Sequence, residues 1–237
     1  MAFDWQNRST ARPAAWAEID VGLRQHMLRV YNYMAGGLAL TGVIAYVAAA
    51  SGFYVSLAHV PLLFYAVIFA PLALVFFLSY RIQTMSLGAA QASFWGYSAL
   101  MGLSLGFIFL VYTGASIFST FFVTAAMFLG MSLYGYTTGR DLSGVGSFMI
   151  MGLWGIIIAS VVNIFLGSSQ LQFVISIVGV VVFTGLTAWD TQQIKEMYLA
   201  GDDDVIAGKK AIMGALRLYL DFINLFLMLL RLMGQRR

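Results

Sequence analysis

Two aspartates lie in stretches where a carboxylate is costly. Asp221 stands near the middle of Ile212 to Leu232, a run of about twenty mostly apolar residues, and Asp190 ends the apolar run before it. A run of that length crosses a bilayer. An acid at the centre of such a helix costs roughly 2.5–3.5 kcal/mol to insert, and acids held at that cost face a bundle interior or a wet cavity. Two carboxyls in contact resist double ionisation and tend to share a proton; they then titrate as a pair. Hard cations take oxygen ligands from carboxylates and carbonyls. The chemistry open to such a pair is proton sensing, weak cation binding or general acid–base work.

The neighbours of both acids recur at helical spacing. Thr184, Thr187, Asp190 and Thr191 share one helix face, as do Gly214, Arg217, Asp221 and Asn224. Thr187, Thr191 and Asn224 are therefore expected to line a polar passage, with Asp190 and Asp221 as its ion ligands. Asp190 lies four residues before Ile194, roughly 6 Å of rise, and Asp221 nine residues past Ile212, roughly 14 Å. On antiparallel helices this brings the two acids to similar depth near one end of a bundle. The competing structural reading pairs Asp221 with Arg217 within one helix and leaves Asp190 at the interface, held by water or Lys195.

The elements that must position these residues follow from composition. Of 237 residues, 61% are hydrophobic and 10% charged, against about 25% charged in a soluble domain. The chain reads as an all-α integral membrane protein with little soluble mass. Absence of cysteine excludes disulfides and thiolate metal sites. Seven apolar runs, roughly 31–51, 62–80, 94–112, 117–137, 146–166, 173–193 and 212–232, each have spanning length. Residues 1–30 form a polar tail without the core of a signal peptide; 31–237 form the seven-helix domain. Gly102 and Gly106, and Gly152 and Gly155, serve close helix packing.

Loop charge sets orientation. The tail and the links after the second, fourth and sixth runs hold nine basic residues (Arg8, Arg12, Arg24, Arg29, Arg81, Arg140, Lys195, Lys209 and Lys210), and the other three links hold none. That alternation places the N-terminus in the cytoplasm. Seven crossings then leave Arg231, Arg236 and Arg237 outside, against the charge rule; full crossing is preferred because the last run is long.

The strings Gly185-Leu-Thr-Ala-Trp-Asp-Thr-Gln-Gln-Ile-Lys195, Ala215-Leu-Arg-Leu-Tyr-Leu-Asp-Phe-Ile-Asn-Leu-Phe-Leu-Met-Leu-Leu-Arg231 and Thr138-Gly-Arg-Asp-Leu-Ser143 resemble the Bax inhibitor-1 family, and the chain is similar to its bacterial members. The resemblance implies seven transmembrane helices, six surrounding a central C-terminal one, in a bacterial inner membrane. It implies a pH-sensitive calcium leak, with Asp190 and Asp221 as paired proton sensor, calcium as permeant and no permanently bound cofactor. It further implies that Arg81, at the inner end of the second helix, contacts the sixth-helix acid in the closed state. Two departures stand out. The second helix has no acid between Pro61 and Tyr80, and Arg217 adds a cation where members carry a small polar residue. Arg217 should favour the ionised form of Asp221 and oppose calcium at that depth.

Rival functions are weaker. Intramembrane aspartyl proteases carry Gly-x-Gly-Asp at the second acid, whereas Asp221 follows Leu218-Tyr-Leu. Gly102-Leu-Ser-Leu-Gly106 matches a hydrolase pattern but lies inside a helix, and the only histidines, His26 and His59, are not mid-membrane. No enzyme activity and no nucleic-acid partner are expected. The stronger alternative is an interaction protein that modulates a membrane-bound protease through its cytoplasmic tail, in which Ala11 to Ala15 is disordered and residues 20–30 extend the first helix with Val21, Leu28 and Val30 as contacts. Asp202, Asp203 and Asp204 form a solvated acidic turn without calcium-loop spacing.

Overall fold

In hydrocarbon every backbone N–H and C=O must be satisfied within the chain, so an apolar run of spanning length folds as a helix. The structure, a computed structural model, describes the backbone over residues 12–237 and side chains from residue 21 onward, apart from those at 55, 58 and 61. Its helices are α1 (Arg12–Ala50), α2 (Phe53–Ala58), α3 (Pro61–Arg81), α4 (Leu87–Leu105), α5 (Ile108–Val111), α6 (Gly114–Thr137), α7 (Ser143–Leu166), α8 (Ser169–Glu196) and α9 (Asp204–Met233). Seven are long and apolar enough to cross a membrane, counting α4 and α5 as one crossing, Leu87–Val111. The starts carry local signals. Ser86, Thr113, Ser168 and Asp203 cap α4, α6, α8 and α9 by accepting from the backbone N–H three residues on. Pro61 opens α3, and Gly167, at φ 60, closes α7 in the left-handed conformation glycine adopts freely.

The last helix is central. The apolar window of α9 is 72% buried, against 11% for α3 and 6% for α7. Four helices, α1, α4, α6 and α8, pack directly on α9, while α3 leans on α4 and α7 on α8. The six surrounding spans therefore form two tiers. Small residues set the closest approaches. A Cβ on Gly102 or Gly106 would meet the carbonyls of Thr41 and Ala45 at 2.7 Å, and one on Gly135 would collide with the backbone of Ala188. Gly152 faces Val182 of α8, while Gly155 is open.

Three features differ from the sequence expectation. First, α1 runs unbroken from Arg12, so residue 30 marks no boundary and residues 12–15 are helical; residues 1–11 of the expected tail lie outside the described residues. Second, of the expected contacts of its extension only Val30 is buried, joined by His26 and Met27, while Val21 and Leu28 are exposed; Gly22 and His26 lie against Tyr198, which fixes the rotation of the helix. Third, the 51–60 link folds into α2, whose Tyr54 phenol donates to the Leu103 carbonyl.

Both ends of the bundle are defined by contacts. The start of α9 meets the 83–87 and 197–202 links through Lys209 Nζ to Gln83 O (3.1 Å) and Lys210 Nζ to Met197 O (2.9 Å). Its far end pairs as backbone with 111–113: Thr113 N–H donates to Gln235 O, and Arg237 N–H to Val111 O, both at 3.0 Å. Helix α9 thus spans the full bundle, and the start of α1 and the C-terminus lie at opposite ends.

Candidate functional site

Asp190 and Asp221 meet where α8 packs on α9. Asp221 is 4% exposed, and its carboxyl lies against that of Asp190. Its Oδ2 is buried with no hydrogen-bond partner. Arg217 Nη1 stands 3.8 Å from Asp190 Oδ1, an ion pair too long for a hydrogen bond. The Arg217 side chain is 40% exposed and that of Asp190 13%. The site is thus two acids and one cation, shared between helices.

This placement departs from both earlier readings of the arginines. Arg217 reaches across to Asp190 on α8 instead of pairing within its helix to Asp221. Arg81 is exposed at the end of α3, which packs on α4 and not on α8, and it makes no ion pair among the described residues. Lys195 does not hold Asp190 either. Its Nζ donates to Tyr136 O at 3.0 Å and sits 5.6 Å from the centre of that ring.

The threonines expected along a passage turn elsewhere. Thr187 and Thr191 are fully buried, on the side of α8 facing α6. Thr187 donates to Phe183 O, and Thr191 to Thr187 O, both at 2.7 Å, the back-bonding that Thr uses inside apolar helices. Because a hydroxyl carries one proton, Ser132 must donate to Thr191 (3.0 Å), and Tyr31 to Ser132 (2.6 Å). Asn224 donates from Nδ2 to Leu220 O at 2.8 Å. It belongs to a half-buried stripe of α9, with Met213, Arg217, Leu220 and Leu227. That stripe faces the gap between α4 and α8, which scarcely touch.

Several residues beside the site were not singled out from sequence. Tyr219, two positions before Asp221, bonds Thr41 at 2.6 Å, and Thr41 donates to Ser98 O at 2.8 Å. By the same proton count Tyr219 is the donor, and it ties α9 to α1 and α4. Gln192, two positions after Asp190, accepts from Leu142 N and donates to Arg140 O, both at 2.8 Å, so it braces the link between α6 and α7. Nothing in the spacing of a lone Thr41 or of Gln192 marks these partners. The acidic turn is structural: Asp202 pairs with Lys210 at 2.6 Å, and Asp203 caps α9. Among the described residues no three His, Asp or Glu side chains cluster as a metal site.

Comparison with known proteins agrees with the architecture. Residues 23–237 match the family model described as "Inhibitor of apoptosis-promoting Bax1". The chain is 52% identical over 219 residues to "Inner membrane protein YbhL" of Escherichia coli strain K12, covering 91% of this chain and 94% of that protein. It is 50% identical over 218 residues to "Uncharacterized protein RP147" of Rickettsia prowazekii, covering 92% of each. An uncharacterized protein of Caulobacter vibrioides is 44% identical over 245 residues, covering 98% of each. With seven apolar crossings, a central last helix and a match over nearly its whole length, the chain is an integral membrane protein that belongs to the Bax inhibitor-1 family.

Proposed function

We propose that the chain is a pH-sensitive calcium leak in a bacterial inner membrane, with its N-terminus in the cytoplasm. The observation that carries this reading is the contact of Asp190 with Asp221 inside the bundle, with Arg217 on one of them. A pair of carboxyls supplies a few of the 6–8 oxygens calcium prefers, which suits an ion that must leave again. Loss of a proton from the pair strengthens its attraction for a cation and for Arg217 alike; gain of one weakens both. In this reading Arg217 occupies the cation position of the closed protein, and the half-buried stripe through Asn224 marks the route beside it.

The name of the Escherichia coli relative supports the membrane assigned, and the basic links, gathered at the end of the bundle where α1 begins, support the orientation. The reading makes the protein a conduit and not an enzyme, since Asp221 lacks the preceding glycines of an aspartyl protease motif. Tail-mediated control of a membrane protease draws on the 1–30 tail, of which residues 1–11 lie outside the described residues. Calcium flux into proteoliposomes from pH 5 to 8 tests the proposal. Wild type should show a pH-dependent flux, and Asp190→Asn and Asp221→Asn should each flatten it. An unchanged pH profile in both variants, at equal incorporation, refutes it.

A further inference from the structure

The side of α9 opposite the Arg217 stripe carries Phe222, Ile223 and Phe226, and these floor a crevice between α1 and α6. The two helices pack little on one another along it and are bridged by the Tyr31–Ser132 hydrogen bond in its narrower part. Its wide part, about 590 Å³, is walled by small residues of α1, among them Ala35, Ala39 and Gly42, and by aromatic rings of α6. Its narrower part, about 370 Å³, continues past the shared Leu129 to Tyr31, Ser132 and Tyr136 and ends at Arg24. From Arg24 to Tyr46 the crevice follows α1 for roughly 33 Å, about the thickness of the hydrocarbon layer. Small residues in lipid normally draw helices together; here the space they leave is not filled by any described residue.

Charge at one mouth indicates what fills it. Arg24 is exposed and lines this mouth together with Tyr136, whose ring carries the Lys195 ammonium 5.6 Å from its centre. Among the described residues neither makes an ion pair with an acid. In the wall below, the Tyr31 hydroxyl donates to Ser132, which leaves its own lone pairs free to accept. A basic pair above an apolar slot of membrane depth matches a phosphate joined to an acyl chain. Guanidinium binds phosphate in a fork, and juxtamembrane basic residues select anionic headgroups. A partner helix, about 10 Å wide with its side chains, would need an acid or its C-terminal carbonyls at this depth to use the cations. We infer that the α1–α6 crevice holds one anionic phospholipid, its phosphate at Arg24 and Lys195 and one acyl chain laid along Leu129 toward Phe222 and Phe226.

The full chain, stripped of lipid in detergent, is offered equal amounts of phosphatidylglycerol and phosphatidylcholine with matched acyl chains, and retained lipid is read by native mass spectrometry. One phosphatidylglycerol per chain should be kept in preference. Arg24→Gln, at an exposed position that leaves folding intact, should cut that preference about fivefold, and the Arg24→Gln/Lys195→Gln pair about fivefold again. Ala39→Phe should lower retention of both lipids. Equal retention by wild type, or an unaltered preference in Arg24→Gln, overturns the assignment. So does a photo-crosslinker at position 39 that captures a polypeptide in membranes instead of lipid.

Discussion

Arg217 decides how the acid pair is balanced. A cation one turn from Asp221 was legible from spacing, but its direction was not. An arginine side chain reaches several ångströms, and which neighbour it meets depends on the helix across the interface. Arg217 lies on the half-buried stripe and reaches Asp190 of α8 from the more exposed side, while the buried Asp221 meets the same carboxyl from within. Arg81, by contrast, sits on a second-tier helix. Under the proposed function, Arg217→Ser should raise calcium flux on the order of fivefold, a typical coupling magnitude, and Arg81→Ala should leave it within twofold. Flux assays in liposomes at equal protein incorporation check both; a rise in the Arg81 variant with none in the Arg217 variant would reverse the assignment. The acids themselves were readable because charge in an apolar run is rare. The turning of Thr187 and Thr191 toward α6 was not, since i to i+4 spacing gives a shared face but not what that face meets.

The helices were readable at their apolar centres and poorly at their ends. Hydropathy finds Pro61–Arg81 to within a residue and the start of Ser143–Leu166 to within three; the extension expected over 20–30 is present, held by contacts at Gly22 and His26, but the polar residues before it hide that the helix begins as early as Arg12. Short α2 and α5 escape because six and four residues carry no periodic signal. Links are likewise set by side chains that hydropathy ignores. Gln192 supplies both a donor and an acceptor to residues 140–142, so Gln192→Ala should destabilise the protein by about 2 kcal/mol, one buried and one part-buried hydrogen bond at about 1 kcal/mol each. Thermal unfolding in detergent should register this as a fall of roughly 4–8 °C. An unfolding temperature equal to wild type would show that the brace contributes nothing.

For the whole molecule, alternation of loop charge anticipated the up-and-down order of the bundle, and the far-end arginines were the one conflict. Backbone pairing of residues 235–237 with 111–113 explains how they are held there: pairing fixes the tail at the far end whatever its charge. Single cysteines at Ser51 and Gln235 should therefore label with an impermeant maleimide from one side of the membrane, and one at Gln83 from the other; co-labelling of 235 with 83 would contradict seven crossings. The two tiers also have a mechanical consequence. Helix α7 rests chiefly on α8, so if Asp190 withdraws from Asp221, α7 can ride along without tearing another large protein seam. The work of that excursion falls on the surrounding acyl chains, and the stiffness and thickness of the bilayer become components of the gate.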